Sequence, residues 1–212
     1  MKFNKTDMTA WKRAKTFEHF TSEVPCTYSM TVNIDASNLL RAAGERGVKF
    51  FPSFLYCLAD VVNAHEEFRM DFDSEGRVGF YDESHPCWAV FDRDDESFTT
   101  VWAEYSPDFS EFYAQYLKAM RAFENGENAE NPAPRNIFNV SCIPWTSFTG
   151  FNLNLGRGWS YLPPIFTAGK YFSEGGRTLM PLALQLHHAA CDGWHASRFV
   201  MELQETADRF RP

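Results

Sequence analysis

The sequence predicts an α/β protein of the α+β type, a two-layer sandwich in which helices pack on a mixed β-sheet. Three observations carry this. Four segments place apolar residues at the three- and four-residue steps of a helix. Between them lie shorter segments rich in β-branched and aromatic residues, and the two kinds do not alternate strictly, which fits a doubly wound parallel sheet poorly. A length of 212 residues with 44% hydrophobic content suits one domain, residues 1–212, with a real core; 12 Gly and 11 Pro exclude a fibrous repeat.

In chain order, Thr27 to Ile34 reads as a strand. Asp35 then stands as N-cap of a helix with Leu39, Leu40 and Ala43 on one face, and Gly47 as its stop. Pro52 suits the first turn of a second helix, which carries Phe51, Phe54, Leu55, Leu58, Val61 and Val62. Strands Phe68 to Phe72 and Val78 to Tyr81 flank Asp73-Ser74-Glu75-Gly76, a hairpin turn. Strands Trp88 to Phe91 and Phe98 to Trp102 follow. The clearest stripe, Phe109, Phe112, Tyr113, Tyr116, Leu117, Met120 and Phe123, predicts a third helix ending in the polar run from Asn125 to Asn128. Asn125 to Pro134 is short enough to be a surface loop within one domain. Ile137 to Ile143, Phe151 to Leu155, Ile165 to Tyr171 and Leu179 to His188 are read as strands. Ala196, Phe199, Val200, Leu203, Ala207 and Phe210 mark the closing helix. Any of these stripes could line a cofactor groove, but a one-sided apolar stripe is how a helix packs on a sheet, and we read them so.

Twenty Lys+Arg against 28 Asp+Glu give a formal charge of -8, with no basic stretch, so nucleic acid is not an expected partner. No apolar run approaches the roughly 20 residues that cross a bilayer, and the N-terminus lacks an apolar signal region; a cytoplasmic protein without a membrane partner is expected. Cys26, Cys57, Cys87, Cys142 and Cys191 are scattered and odd in number, which points to reduced, mostly buried thiols. An aromatic content of 17%, including 21 Phe and 6 Trp, indicates rings in a core, an interface or a pocket.

Chemistry concentrates near the C-terminus, where His187, His188, Cys191, Asp192 and His195 fall within nine residues. On a strand, period two puts Leu182, Leu184, Leu186 and His188 on one face and His187 on the other. Two adjacent strand histidines therefore cannot easily chelate one metal, and His188, Cys191 or Asp192, and His195 lack a recognised zinc spacing; no metal is expected. Three readings stay open. Asp192 caps the last helix and His188 is a core histidine; or His188, at a strand end beside a turn, is a general base; or Cys191 is a nucleophile activated by a histidine.

The segment His187-His188-Ala189-Ala190-Cys191-Asp192-Gly193 matches an H-H-x-x-x-D-G motif. Further blocks lie in order: Trp11-x-Arg13 with Phe17-Glu18, Pro25-Cys26-Thr27-Tyr28, Lys49-Phe50-Phe51-Pro52, and Asn63 to Met70. Then come Glu96-Ser97-Phe98, Asn139-Val140-Ser141-x-x-Pro144-Trp145, Phe151-Asn152-Leu153-Asn154 and Thr167-Ala168-Gly169-Lys170-Tyr171. In these blocks, across nearly its whole length, the chain resembles the trimeric chloramphenicol acetyltransferases.

That resemblance implies a CoA-dependent acyltransferase fold and direct transfer of acetyl from acetyl-CoA to the primary hydroxyl of chloramphenicol, a cause of antibiotic resistance. It implies His188 as general base and Ser141 as the hydroxyl that stabilises the oxyanion. Asp192 is implied to pair with Arg13 and hold the active-site loop rather than complete a Ser-His-Asp triad; as a buried pair, its loss is expected to cost about 3–5 kcal/mol and to abolish activity without either residue touching substrate. Phe20, Cys26, Phe98, Leu153 and Thr167 carry over as acceptor contacts, and Trp145, Lys170 and Tyr171 as contacts along the CoA tunnel. A homotrimer with sites between subunits is implied too. The segments Glu124 to Arg135 and Trp159 to Pro163 depart from the family pattern and leave one wall of the acceptor pocket open. The alternatives are an acetyltransferase for another aromatic or hydrophobic alcohol, a dihydrolipoyl-type acyltransferase core, and a non-catalytic protein that sequesters an aromatic ligand.

Overall fold

The computed structural model describes residues 1–93, 95–127, 132–155 and 160–211. The chain runs β1 (Phe3–Lys5), α1 (Ala14–Glu18), a π-helical turn (His19–Glu23), β2 (Thr27–Asp35), α2 (Ser37–Arg46) and α3 (Phe50–Ala64). A 3-10 turn (Glu66–Arg69) leads to β3 (Met70–Phe72), β4 (Val78–Tyr81), β5 (His85–Phe91), β6 (Phe98–Trp102) and α4 (Phe109–Glu124). The last part holds β7 (Ile137–Ile143), β8 (Ile165–Gly169), β9 (Phe172–Glu174), β10 (Arg177–His187) and α5 (Gly193–Arg209).

The main sheet has the order β2-β10-β8-β7-β5-β6, with β9 paired to β10. Strand β7 is parallel to both β5 and β8 while the other pairs are antiparallel, so the sheet is mixed, as expected. A three-stranded sheet, β1-β4-β3, contains the expected hairpin. Its turn closes because the Asp73 carboxylate accepts the N–H groups of Glu75 and Arg77, and because Gly76 takes φ 75, a conformation that costs other residues energy.

Strand alternation divides the main sheet into two unlike faces. Leu182, Leu184 and Leu186 of β10, Phe166 of β8, Phe138 and Val140 of β7 and Trp88 of β5 are buried in one core with the apolar stripes of the helices. Phe166 stacks on Phe199 of α5 at 4.9 Å and Trp88 on Tyr116 of α4 at 5.1 Å, so the stripes read from sequence are packing stripes. The register puts Thr27, Ser29 and Thr31 level with His187, Gln185 and Ala183, and Ala183 level with Thr167 and then Ser141. This second face is polar.

Several elements depart from expectation. Phe151 to Leu155 is not a strand: it lies over the polar face, where Phe151 N–H donates to Thr31 Oγ1 and Leu153 N–H to Gln185 Oε1, both at 3.3 Å. Side-chain acceptors take the place of a neighbouring strand there. The run from Ile165 to Tyr171 breaks after Gly169, because Lys170 N–H turns to Thr146 C=O at 2.9 Å. Strand β10 starts at Arg177 and stops at His187, one residue before His188. Helix α1 and the π-helical turn were not expected; both are too short for a helical stripe. Ala36, rather than Asp35, is the N-cap of α2, although the Asp35 carboxylate still accepts Ser37 N–H at 3.0 Å.

The stacking of Phe199 predicts its energetic weight. It is fully buried, lies face to face with Phe166, and presents an edge to Phe68 at 4.9 Å. Phe199→Ala is expected to lower the unfolding free energy by about 3–5 kcal/mol in a denaturant titration, and a loss below about 1 kcal/mol would contradict this packing.

Candidate active site

His188 begins where β10 ends. Its N–H still reaches across to Cys26 C=O at 3.1 Å, while the N–H groups of Ala190 and Cys191 turn back onto His187 C=O at 3.1 and 2.9 Å. The chain therefore leaves the sheet in a tight turn. His187 is buried and its Nδ1 accepts Ala189 N–H at 3.1 Å, a role internal to that turn. The His188 ring instead stacks flat on Phe20, 3.9 Å between centroids and 7° between planes, and meets the Tyr28 ring edge-on at 5.3 Å. Its Nδ1 is buried with no hydrogen-bond partner among the described residues, so packing between two aromatic rings contributes to the setting of its plane.

The other end of the turn is fixed by charge. Asp192 is the N-cap of α5, accepting Trp194 N–H at 3.0 Å and His195 N–H at 3.3 Å, as one of the open readings proposed. Its second oxygen takes a 2.5 Å ion pair from Arg13, whose other terminal nitrogen reaches Ala189 C=O at 3.4 Å. Burial works against the Asp192 charge, but His195, 2.8 Å away, and the hydrogen bonds from Arg13 and from the His195 backbone outweigh it and bring the carboxyl down to about 2. The imidazole that Asp192 touches is that of His195. The Arg13 and Asp192 side chains keep 21% and 35% of their surface exposed, so the pair is half-buried and its loss costs less than a buried pair would.

Cys191 does not have the surroundings of a nucleophile. It is fully buried, its Sγ faces Glu67 C=O at 3.7 Å, and burial, followed by the nearby Glu67 charge, pushes its thiol well above the ordinary value. Cys26 is half-buried and its thiol is raised by desolvation, while its carbonyl holds the His188 N–H.

Ser141 lies elsewhere in the same chain. It sits level with Thr167 and Ala183 on the polar face, whereas His188 is five residues beyond Ala183, just past the end of β10. Five residue steps and two strand spacings separate their Cα atoms by roughly 19 Å, more than the two side chains can bridge. Thr167 is buried beside Ser141, and Leu153 is held over this face. The candidate residues therefore form two groups: Arg13, Phe20, Cys26, His188 and Asp192 at the end of β10, and Ser141, Leu153 and Thr167 in the middle of the sheet.

The CoA candidates gather at a third place. A groove of about 330 Å³ is lined by Phe51, Phe91, Arg93, Phe98 and Trp145 among others, with Trp145 edge-on to Phe91 at 5.1 Å. A second, of about 300 Å³, is lined by Phe50, Phe54, Gly169, Lys170 and Tyr171. Both touch Phe51, Cys142 and Pro144, so they adjoin. Phe98, expected as an acceptor contact, is 58% exposed here and faces Trp145 rather than His188. Within the segments that depart from the family pattern, residues 128–131 and Trp159 lie outside the described residues; Tyr161 accepts a hydrogen bond from Asn139, and Leu162 is buried.

Sequence reasoning did not single out Tyr28, whose ring edge meets His188, or Gln185, which holds Leu153. The signal for Gln185 was available: it is the one polar side chain between Leu179 and Leu186 in an otherwise apolar strand.

The sequence pattern of chloramphenicol acetyltransferase matches residues 1–204. A chloramphenicol acetyltransferase of Clostridium perfringens is 45% identical over 212 residues, covering 99% of this chain and 97% of the relative. A solved chloramphenicol acetyltransferase structure superposes with a TM-score of 0.86 at 26% identity, covering 96% of this chain and 99% of the other. The crystal structure of a probable dihydrolipoamide acetyltransferase from Listeria monocytogenes has a TM-score of 0.69 at 12% identity, covering 100% of this chain and 95% of that one, and shares the fold. The family match over most of the chain, with close relatives along its full length, leads to one conclusion: this chain belongs to the chloramphenicol acetyltransferase family.

Proposed function

We propose that the protein transfers the acetyl group of acetyl-CoA to the primary hydroxyl of chloramphenicol, within a complex of both substrates, and so confers resistance to that antibiotic in the cytoplasm. The observation that carries this reading is the setting of His188: an imidazole at the end of β10, stacked on Phe20, in a turn whose other end is pinned by Arg13 and Asp192. A general base needs a fixed ring plane and a neutral ring nitrogen directed at its substrate, and aromatic stacking with a pinned turn supports the first.

In this mechanism His188 Nε2 takes the proton of the primary hydroxyl, the less crowded of the acceptor's two alcohols. The oxygen attacks the thioester carbonyl, forming a C–O bond and a tetrahedral oxyanion. The Ser141 hydroxyl donates to that oxyanion. Collapse breaks the C–S bond, and the leaving CoA thiolate takes the proton from the His188 imidazolium, which restores the neutral base. No acyl-enzyme forms. Trp145, Lys170 and Tyr171 hold acetyl-CoA along the adjoining grooves, with the Lys170 cation compensating locally for a protein whose net charge of -8 repels a phosphorylated substrate. Phe20, Cys26, Leu153 and Thr167 line the acceptor pocket, while Phe98 lies in the groove with Trp145.

Because one chain holds His188 and Ser141 roughly 19 Å apart, a site that uses both draws them from two copies. We propose a homotrimer in which the base of each copy faces the Ser141 wall of its neighbour. A closed three-fold ring uses one heterologous interface three times.

Two sets of variants test this reading. In a thiol-release assay with chloramphenicol and acetyl-CoA, His188→Ala is expected to lose at least about 10²–10⁴ in kcat. Ser141→Ala loses about 10²–10³, and Cys191→Ala stays within about tenfold of the parent. A dead Cys191→Ala protein, or an acetyl-enzyme trapped without acceptor, would contradict direct transfer.

The Arg13–Asp192 pair predicts a split between capping and charge. Asp192→Asn keeps a good N-cap and loses the pair, at about 1–2 kcal/mol, whereas Asp192→Ala also loses the cap, for about 1 kcal/mol more. Asp192 titrates lower in the folded chain than its ordinary 3.8, so its contribution is complete above pH 4 and is lost as pH falls towards about 2. Denaturant titrations of the parent should show that loss, and Asp192→Asn should lack it. An unchanged acid limb in Asp192→Asn would contradict the pair's role.

A further inference from the structure

The polar face of the main sheet is wired through one side chain. Gln185 is buried. Its Oε1 accepts the Ser29 hydroxyl and, at 3.3 Å, Leu153 N–H, while its Nε2 donates to Thr27 Oγ1 at 2.8 Å. Two residues along β2, Thr31 Oγ1 holds Phe151 N–H in the same way. The extended stretch over this face is therefore fastened by side-chain acceptors from the sheet, with Gln185 gripping it at Leu153. A buried amide on a strand otherwise apolar from Leu179 to Leu186 costs stability unless its groups are all used, and here both ends are.

We propose that Gln185 is a positioning residue for the acceptor: it fixes the backbone at Leu153, and so the wall against which the aromatic alcohol rests. The inference rests on the proposed acetyl transfer to chloramphenicol. Thr27 orients the Gln185 amide by accepting its Nε2 hydrogen bond. In the proposed trimer the base and the Leu153 wall of one chain serve different sites, so the Gln185 hydrogen bond to Leu153 acts on the acceptor wall, and it leaves the grooves at Trp145, Lys170 and Tyr171 untouched. An acceptor-specific effect follows. Losing the grip loosens Leu153 without moving the thioester or the imidazole, so acceptor binding weakens while the chemical step and the acetyl-CoA site keep their character.

The experiment compares the parent protein with Gln185→Leu, Gln185→Glu and Thr27→Val. In Gln185→Leu, which loses the hydrogen bonds to Ser29 and Thr27 as well as the one that holds Leu153, the KM for chloramphenicol should rise about fivefold to tenfold, with kcat and the KM for acetyl-CoA within about twofold. Gln185→Glu keeps the oxygen that receives Ser29 and Leu153 and should lie closer to the parent. Thr27→Val, a half-buried change on an edge strand, should move the same KM in the same direction by about twofold to threefold; it carries the test should Gln185→Leu fail to fold. Hydrogen exchange at the Leu153 amide is measured on the same proteins without any substrate and should accelerate in Gln185→Leu and Thr27→Val. An unchanged KM with unchanged exchange overturns the inference, as does a parallel fall of kcat and rise of both KM values. A parent protein that fails to acetylate chloramphenicol overturns the proposed function instead, and the exchange arm then decides whether Gln185 fixes Leu153.

Discussion

The rest of the structure depends on the pairing of β10. This 11-residue strand is hydrogen-bonded to β2 on one side and to β8 and β9 on the other, so its register is fixed from both edges. A slip of one residue would exchange its two faces, sending Leu182, Leu184 and Leu186 out of the core and Gln185 into it. The same slip would exchange His187 and His188. The choice of which histidine meets Phe20 and Tyr28 and which is consumed inside the turn is thus made by the apolar packing of a strand.

Two features convert that register into a site. The strand ends against the turn of residues 188–192, and the turn is closed by Arg13 on Asp192 and Ala189 and by the cap that Asp192 places on α5. Meanwhile the polar face, where Thr167 and Ser141 stand level with Ala183, continues across β8 and β7 at a distance from the strand end. The sheet therefore places His188 at its rim and Ser141 at its middle, too far apart in one chain for their side chains to meet. In the proposed trimer that separation is the spacing between one copy's base and its neighbour's wall.

Much of this was legible in the sequence, for physical reasons that differ by element. The stripes of α3, α4 and α5 were readable because they face one core, and Gly47, with φ 67, was a readable stop because few other residues take that conformation. Alternation along β10 separated His187 from His188. The Phe151 to Leu155 segment misled because aromatic and aliphatic residues alternate there as in a strand, while its partners are side chains of Thr31 and Gln185 far away in sequence. Arg13, 179 residues from Asp192, came only through the family resemblance, since a long-range ion pair leaves no local period. That resemblance also supplied Ser141, which by itself is an ordinary strand serine.

In the proposed trimer each site joins His188 of one copy to Ser141 of another. The most direct test is to unfold His188→Ala and Ser141→Ala chains together, refold the mixture, and assay acetyl transfer to chloramphenicol. Random mixing places an intact base beside an intact serine in about a quarter of the sites of a closed ring, so the mixture should recover about a quarter of the parent activity. A mixture no more active than the mean of the two variants refolded separately would show that the two residues act within one chain, and would contradict a site shared between copies.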